Sequence, residues 1–581
     1  MNKALNWVQL FLVAAGVIAI AAVAISVVHS FDVFWQLQSG RYMVETGEVI
    51  RNDLFTLAAD APRVEHCWLH DIILYLVYQI GSYAGLSLWK GLTISVGICL
   101  ILVTALLRGS SLLAMLLVLP LSLLTSGGWL ERPQIWSFLM TGLTLLILEI
   151  YRQRPGRVIY LLFPVALIWA NLHAGSVLIL PLYLAYLAGN LLDNLVRQRK
   201  FRIDDWPRFV GGGALLVVGA QVTPYSMYWL RTLRAAPGLG ASVDSSGERS
   251  GPMTQLFNMD WTPTSFALDP IFFYILAVTA LVLLLTLKRL RGSDLFLLVG
   301  LAVMGLSLIR HIPFFYLAAM IVLPRYLDMI GAWLSRYLGA GLQLAGKVAL
   351  AAMAVYGFWT VYQPLYQIYG FFNTGLRSWH YPIKATDFLV EHKLAPNLYN
   401  TYDWGGYLAW RLYPQYRVFW DGRQNSAEMF RLGWNVMAGK PDWAAILDQF
   451  RVNTILTRSL TIDTGQKYPL LDRLVADPQW NLVFNAEASM VFVRETGVDR
   501  SWLLKHRRPK ALVDDSILTE THLMLGTNPN RYMAWWEMAQ IYYKRRQFKE
   551  ARMAVEQHLM RAPRPVGPAR DMLNRLLQMG V

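Results

Sequence analysis

The sequence predicts a polytopic α-helical membrane protein with about 11 spans, followed by a small soluble α/β domain and a helical tail. Its 581 residues are 55% hydrophobic and only 16% charged, and the mean hydropathy is +0.35. Apolar stretches continue to about residue 361, and the composition becomes that of a soluble protein from about Gly370. We therefore predict a membrane domain at residues 1–368, an α/β domain at residues 369–500 and a helical tail at residues 501–581.

The predicted spans follow from a minimum of about 20 apolar residues for each crossing. The first, at residues 5–28, is too long for the core of a signal peptide and is interpreted as a retained anchor. Residues 70–81 are apolar but too few to cross, which predicts an interfacial or re-entrant helix. The other predicted spans lie at residues 86–107, 111–125, 135–150, 158–171, 174–194, 209–226, 267–287 and 294–309, in a tenth stretch that ends near residue 330, and at residues 342–361.

The basic residues predict the orientation of these spans. Short basic clusters at residues 152–157, 197–202 and 288–291 separate apolar stretches, and such clusters stay on the cytoplasmic side of a membrane. This rule places the N-terminus in the cytoplasm and the C-terminal domain outside it. The net charge of +15 is therefore explained by topology, and we predict no nucleic-acid partner.

The first outer loop, residues 29–70, differs from a simple connection between spans. It is rich in acidic, histidine and aromatic side chains, and its apolar residues between positions 34 and 44 recur at roughly helical spacing. That spacing predicts a short helix on the membrane surface. Two interpretations stay open at this point: an aromatic belt with solvated charges, or a site that acts on a substrate delivered through the lipid.

Several ionisable residues lie at the outer ends of the predicted spans. Ionisable groups near spans usually face a cavity or a partner, because they are costly to insert into lipid. Arg132 and Arg310 suit a phosphate, since the guanidinium fork binds phosphate oxygens bidentately. The residues that this topology places at the outer face are Asp32, His66, Glu131, Arg132, His173, Asp260, Arg310 and His311.

Each of these residues also has an ordinary structural interpretation. Asp32 is a favourable residue for capping a helix. Glu131 and Arg132 could pair with each other, His173 could be a neutral, hydrogen-bonded histidine, and Arg310 could extend from the span to the interface. Their convergence on one face favours a site over separate structural roles.

A series of motifs resembles the C-type glycosyltransferases, most closely a bacterial group related to the dolichyl-phosphate-mannose–protein mannosyltransferase superfamily. The first-loop motifs begin at Asp32 and end at Leu69, and the later ones extend to Arg423. In chain order they read D-x-F-W-x-L-x-x-G, R-N-D-x-F-T, H-x-W-L, E-R-P-Q-x-x-S-F, W-A-N-L-H-A-G-S, D-W-T-P, R-H-I-P-F-F, N-x-Y-D-W-G-G-Y-L-A-W and V-F-W-D-G-R. The resemblance covers about residues 32–494.

The resemblance implies a multi-pass enzyme of a bacterial inner membrane that builds the cell envelope. Its donor would be a polyprenyl-phosphate-linked sugar, and its acceptor a protein, lipid or polysaccharide outside the cytoplasm. Asp32 would be the catalytic base, with direct attack and inversion at the anomeric carbon. We expect His66 beside it. The remaining predicted site residues bind the donor phosphate (Arg132, Arg310, His311) or line the substrate pocket (Trp35, Glu65, Glu131, His173, Asp260).

One position departs from the family pattern. The family usually reads H-E-W-L where this chain has His66, Cys67, Trp68 and Leu69, so a cysteine replaces a carboxylate. A divalent ion, Mg²⁺ or Mn²⁺, held by Asp32 and His66 is one possible cofactor, but none is firmly implied. The departure leaves open a non-catalytic relative that assembles envelope polysaccharide. A lipid-linked-sugar transporter is a weaker alternative, because the spans have few internal charges.

The soluble part alternates candidate strands, at residues 417–420, 452–457, 481–484 and 489–494, with helical stretches. The segments around Trp404 and around Asp421 and Arg423 are first of all typical of turns. A second interpretation is an outer lid, with Asp421 and Arg423 binding a sugar and Trp404 stacking on its ring.

The tail contains one segment, residues 534–552, that resembles a tetratricopeptide helix pair. Stable arrays of such repeats need about three copies. A single copy therefore predicts either packing on the α/β domain or docking of a protein partner. Its basic face is more often solvated than functional.

Overall fold

The computed structural model describes residues 2–57, 63–225, 229–230, 262–376, 378–423 and 426–580. The chain forms two compact units. The first unit consists of Met1–Ser30, Ser39–Ile50 and Val64–Leu376. The second consists of Phe31–Gln38, Arg51–Arg63 and Arg377–Val581, so it contains two pieces of the first outer loop as well as the soluble part and the tail.

The first unit is a helical bundle around one large apolar core. Six helical segments are long and apolar enough to cross a membrane: Leu5–Ala24, Trp68–Leu107, Gln134–Gln153, Ala174–Val196, Ile309–Tyr337 and Ala340–Tyr369. Shorter apolar helices lie at Leu112–Leu123, Arg157–Leu172, Pro270–Leu285 and Gly292–Ser307. These are the segments found among the described residues, and the count of 11 spans stays a prediction.

The helix Trp68–Leu107 is bent back on itself. Its backbone is non-helical at Ser82, where φ is 50° and ψ is −149°. The rings of His70 and Trp89 lie 5.6 Å apart, whereas 19 residues of straight helix would separate them by about 28 Å. Residues 70–81 therefore form a separate short helix that packs against the helix after it, and the predicted interfacial or re-entrant position of this short helix stays a prediction.

Several predicted spans contain helices shorter than a full crossing, and two of them are examples. The stretch at residues 111–125 contains two short helices, Leu112–Val118 and Pro120–Leu123, because proline begins a new helix at position 120. The stretch at residues 209–226 is helical at Trp206–Gln221. Both segments are apolar as predicted, but each helix is shorter than a full crossing.

Small residues let the helices of the bundle approach closely. A Cβ atom added to Gly189 would lie 2.1 Å from the backbone nitrogen of Ser293. Helix Ile179–Gln198 therefore packs with its backbone against the start of helix Gly292–Ser307. Such small-residue contacts are common where helices associate within membranes. The contact between Gly189 and Ser293 holds the loop before Gly292, which contains Arg291, against helix Ile179–Gln198.

The second unit contains a five-stranded mixed sheet. Its strands are β1 (Asn397–Asn400), β2 (Arg417–Val418), β3 (Thr454–Arg458), β4 (Trp480–Ala486) and β5 (Ser489–Arg494). They lie in the order β2-β1-β3-β5-β4. Strand β1 is parallel to β2 and β3, and β5 is antiparallel to β3 and β4. Four of these strands were predicted; β1 was not, because asparagine at both of its ends is unfavourable in strands.

Helices surround the sheet and continue into the tail. They lie at Ile383–Glu391, Gly405–Leu412, Ala427–Met437, Trp443–Gln449, Leu470–Ala476, Arg500–His506, Leu512–Thr527, Tyr532–Lys544, Phe548–Arg561 and Gly567–Gln578. A buried ion pair of 2.7 Å joins Arg458 on β3 to Glu520 in helix Leu512–Thr527. The tail therefore packs on the α/β part, as one of the two predictions for it proposed. Its tetratricopeptide character and a protein partner stay predictions.

Candidate active site

Asp32 lies in the first turn of helix Asp32–Thr46, the helix predicted for the outer loop. Trp35 follows one turn later, and its indole Nε1 donates a hydrogen bond to Asp32 Oδ1 at 3.2 Å. The guanidinium of Arg63 lies 5.4 Å from the centre of a Trp35 ring. The indole thus holds one carboxylate oxygen of Asp32 in a defined direction.

Two glycine residues of the soluble part border the start of this helix within the second unit. A Cβ atom at Gly422 would lie 2.7 Å from Asp32 Oδ1. A Cβ atom at Gly406 would lie 3.1 Å from the carbonyl oxygen of Phe31. Any side chain at these two positions would therefore press on Asp32 or on its backbone. This geometry gives the D-W-G-G-Y and D-G-R motifs a physical connection to the aspartate.

Asp421 and Arg423 form a buried ion network with Asp53. Arg423 donates from Nε to both oxygens of Asp421 at 2.9 Å, and its Nη2 lies 3.2 Å from Asp53 Oδ1. The side chains of all three are at most 1% exposed, and the ring of Phe55 covers the guanidinium. Because these groups are buried and paired, the predicted sugar contacts of Asp421 and Arg423 do not fit. The pair instead fastens the outer-loop segment to the sheet.

Trp404 is also placed differently from the prediction. Its side chain is fully buried, its Nε1 donates to the carbonyl oxygen of His380 at 2.9 Å, and the guanidinium of Arg458 lies 5.5 Å from its ring. A sugar needs an open aromatic face for stacking. Trp404 offers none and packs in the interior of the second unit.

Asp403 directly precedes this tryptophan in the chain, and the pKa of its carboxyl group is shifted. Burial and, to a smaller extent, the carboxylates of Asp463 and Asp32 together raise the pKa of Asp403 from 3.8 to about 6, against the opposing charge of Arg458. Asp403 therefore lies close enough to Asp32 for their charges to interact.

We expect the Asp403→Asn variant to be more stable than the natural chain at neutral pH. The folded state holds the Asp403 proton more tightly than the unfolded state, so the natural chain loses stability as the pH rises from about 4 to 6. Above about pH 6 the loss of folding free energy is at most about 3 kcal/mol. The asparagine side chain has no proton to lose, so the variant avoids this loss. Melting temperatures at pH 4.5 and 7.5 test this, with the exposed Asp571→Asn as a control. A gain that is equal at both pH values would contradict it.

In the first unit, Glu131 pairs with a lysine and not with Arg132. Lys90 Nζ lies 2.6 Å from Glu131 Oε1, and both side chains are fully buried. Lys90 also donates to Ser26 Oγ at 2.8 Å. The sequence reasoning missed Lys90, because a lone lysine near the end of an apolar stretch looks like a boundary residue.

The other Glu131 oxygen holds the end of the loop before Asp32. Glu131 Oε2 accepts hydrogen bonds from the backbone nitrogens of His29 and Ser30 at 3.3 and 3.5 Å. Arg132 Nε donates to Ser30 Oγ at 2.9 Å. Glu131 and Arg132 therefore hold the backbone at the end of the segment Met1–Ser30 within the first unit.

A second polar group of the first unit surrounds His173, in the loop between helices Leu162–Leu172 and Ile179–Gln198. Its Nδ1 lies 2.7 Å from Ser137 Oγ. Burial lowers the pKa of His173 well below its usual value, and the charges of Arg310 and His66 lower it further. These three predicted site residues therefore lie near one another, around an imidazole that is neutral at pH 7.

The remaining predicted residues have structural contacts in this unit. His311 Nδ1 lies 3.3 Å from the carbonyl oxygen of Met304, so that nitrogen is directed toward helix Gly292–Ser307. Glu65 is fully buried and accepts a hydrogen bond from Ser39 Oγ at 3.5 Å. Asp260 lies outside the described residues.

A bound metal ion needs several ligand side chains close together. Within the described ranges, no three histidine, cysteine, aspartate or glutamate side chains form a group that could hold a metal ion. Cys67, which replaces the family's carboxylate, is buried. The predicted ion held by Asp32 and His66 stays a prediction, and so does metal dependence.

The fold of the chain is similar to that of a solved glycosyltransferase, in agreement with the fold that the motifs predicted. The chain is similar to arabinofuranosyltransferase AftD from mycobacteria, with 14% identity, a TM-score of 0.51 and coverage of 84% of this chain and 40% of that one. A mutant of AftD gives 14% identity, a TM-score of 0.52 and coverage of 84% and 42%. The chain thus spans about two-fifths of the length of that transferase.

A third similar structure is ArnT from Cupriavidus metallidurans bound to undecaprenyl phosphate. It has 14% identity and a TM-score of 0.46, with coverage of 84% of this chain and 97% of that one. No protein-family profile matches the chain, and no curated protein matches it.

Proposed function

We propose that the chain is a membrane glycosyltransferase that moves a sugar from a polyprenyl-phosphate donor to an acceptor outside the cytoplasm. The observation that carries the proposal is the Asp32 carboxylate, oriented by Trp35 and bordered by Gly422, in a chain with this fold. The acceptor is a protein, a lipid or a polysaccharide of the envelope in a bacterial inner membrane.

In the proposed reaction Asp32 is the base. Its carboxylate takes the proton of the acceptor hydroxyl while that oxygen attacks the anomeric carbon of the donor sugar. The bond between the anomeric carbon and the phosphate oxygen breaks, and its electron pair leaves with the polyprenyl phosphate. A single displacement of this kind inverts the anomeric configuration. A positioned base contributes about 10²–10⁴-fold to such a step.

Arg132 and Arg310 stabilise the charge that develops on the departing phosphate. Arg132 is two residues before helix Gln134–Gln153, and its Nε bond to Ser30 orients the guanidinium. A helix N-terminus and a guanidinium both favour a phosphate dianion. Arg310 lies near the neutral His173, which adds no competing positive charge.

A second candidate function is a non-catalytic assembly protein for envelope polysaccharide. The observation that favours it is the buried Cys67 at the position of the family's carboxylate, together with the lack of a metal-binding group among the described side chains. Such a protein would keep the fold and lose the reaction.

Glycan analysis of envelope fractions distinguishes the two functions. We expect one sugar to be missing from cells that lack the chain and to return with the natural chain. Cells that carry the Asp32→Asn chain at equal abundance are expected to stay deficient. Full restoration by that variant would favour the assembly function over the enzyme.

A further inference from the structure

Four arginines converge at the end of the first unit that lies away from His173. Helix Gln134–Gln153 carries Ser137, the partner of His173, near its start and Glu149 near its end. The 12 residues between these positions correspond to about 18 Å of helix. The arginine cluster around Glu149 is therefore distinct from the candidate active site. Its members are Arg108, Arg152, Arg291 and Arg325.

Two carboxylates, Glu149 and Asp294, form ion pairs or hydrogen bonds with only some of these arginines. Arg108 pairs with Glu149 at 3.2 Å and with Asp294 at 2.5 Å, and its guanidinium is fully buried. Arg152 donates from Nε to Glu149 at 3.1 Å. Tyr326 also donates its hydroxyl to Asp294 at 2.7 Å. Gln153 Nε2 also donates to Glu149, at 2.9 Å. The hydrogen bonds that these two carboxylates accept therefore come from Arg108, Arg152, Gln153 and Tyr326.

The other two arginines lack a carboxylate at hydrogen-bond distance among the described residues. Arg291 Nη1 is buried and lies 3.9 Å from Glu149 Oε1, which is too long for a hydrogen bond. Arg325 donates from Nη1 to the carbonyl oxygen of Arg108 at 3.1 Å, and its Nε is buried without a hydrogen bond. Buried donors of this kind are rare and call for a partner such as a bound ion.

The cluster also carries more positive than negative charge. Among the side chains that the structure describes, four guanidinium groups face two carboxylates, an excess of two positive charges. Two further aspartates lie at this end: Asp193 accepts from the backbone nitrogen of Gly292, and Asp328 accepts from the backbone nitrogen and the hydroxyl of Ser111. Burial and the charges of Arg152, Arg108 and Arg325 lower the pKa of Arg291, in the loop before helix Gly292–Ser307, to about 10. The guanidinium groups thus repel one another in a way that a bound anion would relieve.

We propose that the arginine cluster binds a phosphate group, supplied by the headgroup of an anionic lipid. The guanidinium fork matches phosphate oxygens bidentately, and a phosphate monoester supplies the two negative charges that the cluster lacks. The side chains of Arg152 and Arg291 are 28% and 15% exposed, so the cluster is open at one side. Tyr186 and Ser293 place buried hydroxyls without hydrogen bonds around it.

Native mass spectrometry of the purified full-length chain tests this site. Phosphatidic acid and phosphatidylcholine are titrated separately, and inorganic phosphate is titrated in a third series. The test variant is Arg291→Gln with Arg325→Gln. The matched control is Arg154→Gln with Arg157→Gln, which removes the same charge from exposed arginines in the loop after helix Gln134–Gln153.

We expect the affinity of the test variant for phosphatidic acid to fall by about tenfold or more. The control variant should bind phosphatidic acid as tightly as the natural chain does. Phosphatidylcholine binding should not differ among the three. Without added lipid, the test variant should melt at the same or a higher temperature, because it loses like-charge repulsion. Tight binding of inorganic phosphate with the same arginine dependence would support the site and make the free anion its ligand.

Three results would overturn the proposal. One is equal loss of phosphatidic acid binding in the test and control variants, which would indicate general surface attraction. Another is unchanged binding in the test variant. The third is a large fall in its melting temperature without lipid, since that would assign the arginines to a structural network.

Discussion

The Asp32→Asn variant is expected to lose sugar transfer by about 10²–10⁴-fold while the protein stays folded. An asparagine has the same shape as the aspartate, and its carbonyl oxygen can still accept the hydrogen bond from Trp35 Nε1. It cannot take the proton of the acceptor hydroxyl. The expected loss is therefore in kcat, with little change in the amount of donor bound.

The measurement is transfer by the purified chain from a polyprenyl-phosphate sugar to acceptors extracted from the envelope. Glu45→Gln is the matched control, because it removes an exposed carboxylate from the same helix. Transfer should be unchanged in this control. If Asp32→Asn transferred sugar as fast as the natural chain, Asp32 would not be the base.

The Gly422→Ala variant tests the position of the Asp32 carboxylate while leaving the carboxylate in place. The added Cβ atom would lie 2.7 Å from Asp32 Oδ1 and displace it from the direction set by Trp35. Transfer should fall, but less than in Asp32→Asn, and adding Gly422→Ala to Asp32→Asn should cause no further loss. Separate, additive losses would mean that Gly422 acts independently of the aspartate.

The sequence predicted the helices better than their breaks, and the reason is physical. Apolar length is a strong signal for a helix of this kind, so most of the apolar helices were located within a few residues, whereas the count of spans stays a prediction. The separate helix at residues 70–81 was predicted from its length, but the unusual backbone conformation of Ser82 that ends it was not. The short strand β1 depends on pairing with its neighbours and cannot be inferred from local composition.

The site residues were predicted where a motif fixed the local geometry. Asp32 and Trp35 lie one helical turn apart, and that spacing is visible in the sequence. Asp421 and Arg423 were interpreted first as turn residues and second as part of a lid, and their partner Asp53 was not identified because it is more than 350 residues away in the chain. A charged pair at a turn looks exposed until its long-range partner is known. Lys90 was missed for the same reason.

Lys90→Met is expected to destabilise the first unit by about 3–5 kcal/mol, because it leaves the Glu131 carboxylate buried and unpaired. Loss of an ion pair of this kind is costly mainly through the partner that remains. The double variant Lys90→Met with Glu131→Gln should therefore recover most of the stability, since it leaves no buried charge. Melting temperatures in detergent measure both effects, with Lys347→Met, an exposed lysine of helix Ala340–Tyr369, as the control.

The double variant also separates the stability of this network from its effect on activity. Glu131 holds the backbone nitrogens of His29 and Ser30, just before Asp32, and glutamine can replace only part of that charged contact. We therefore expect the double variant to melt near the natural chain and still to transfer sugar more slowly. If stability and transfer recovered together, Lys90 and Glu131 would serve the bundle alone. If stability recovered and transfer did not, the ion pair would be a positioning element for the segment that carries the base.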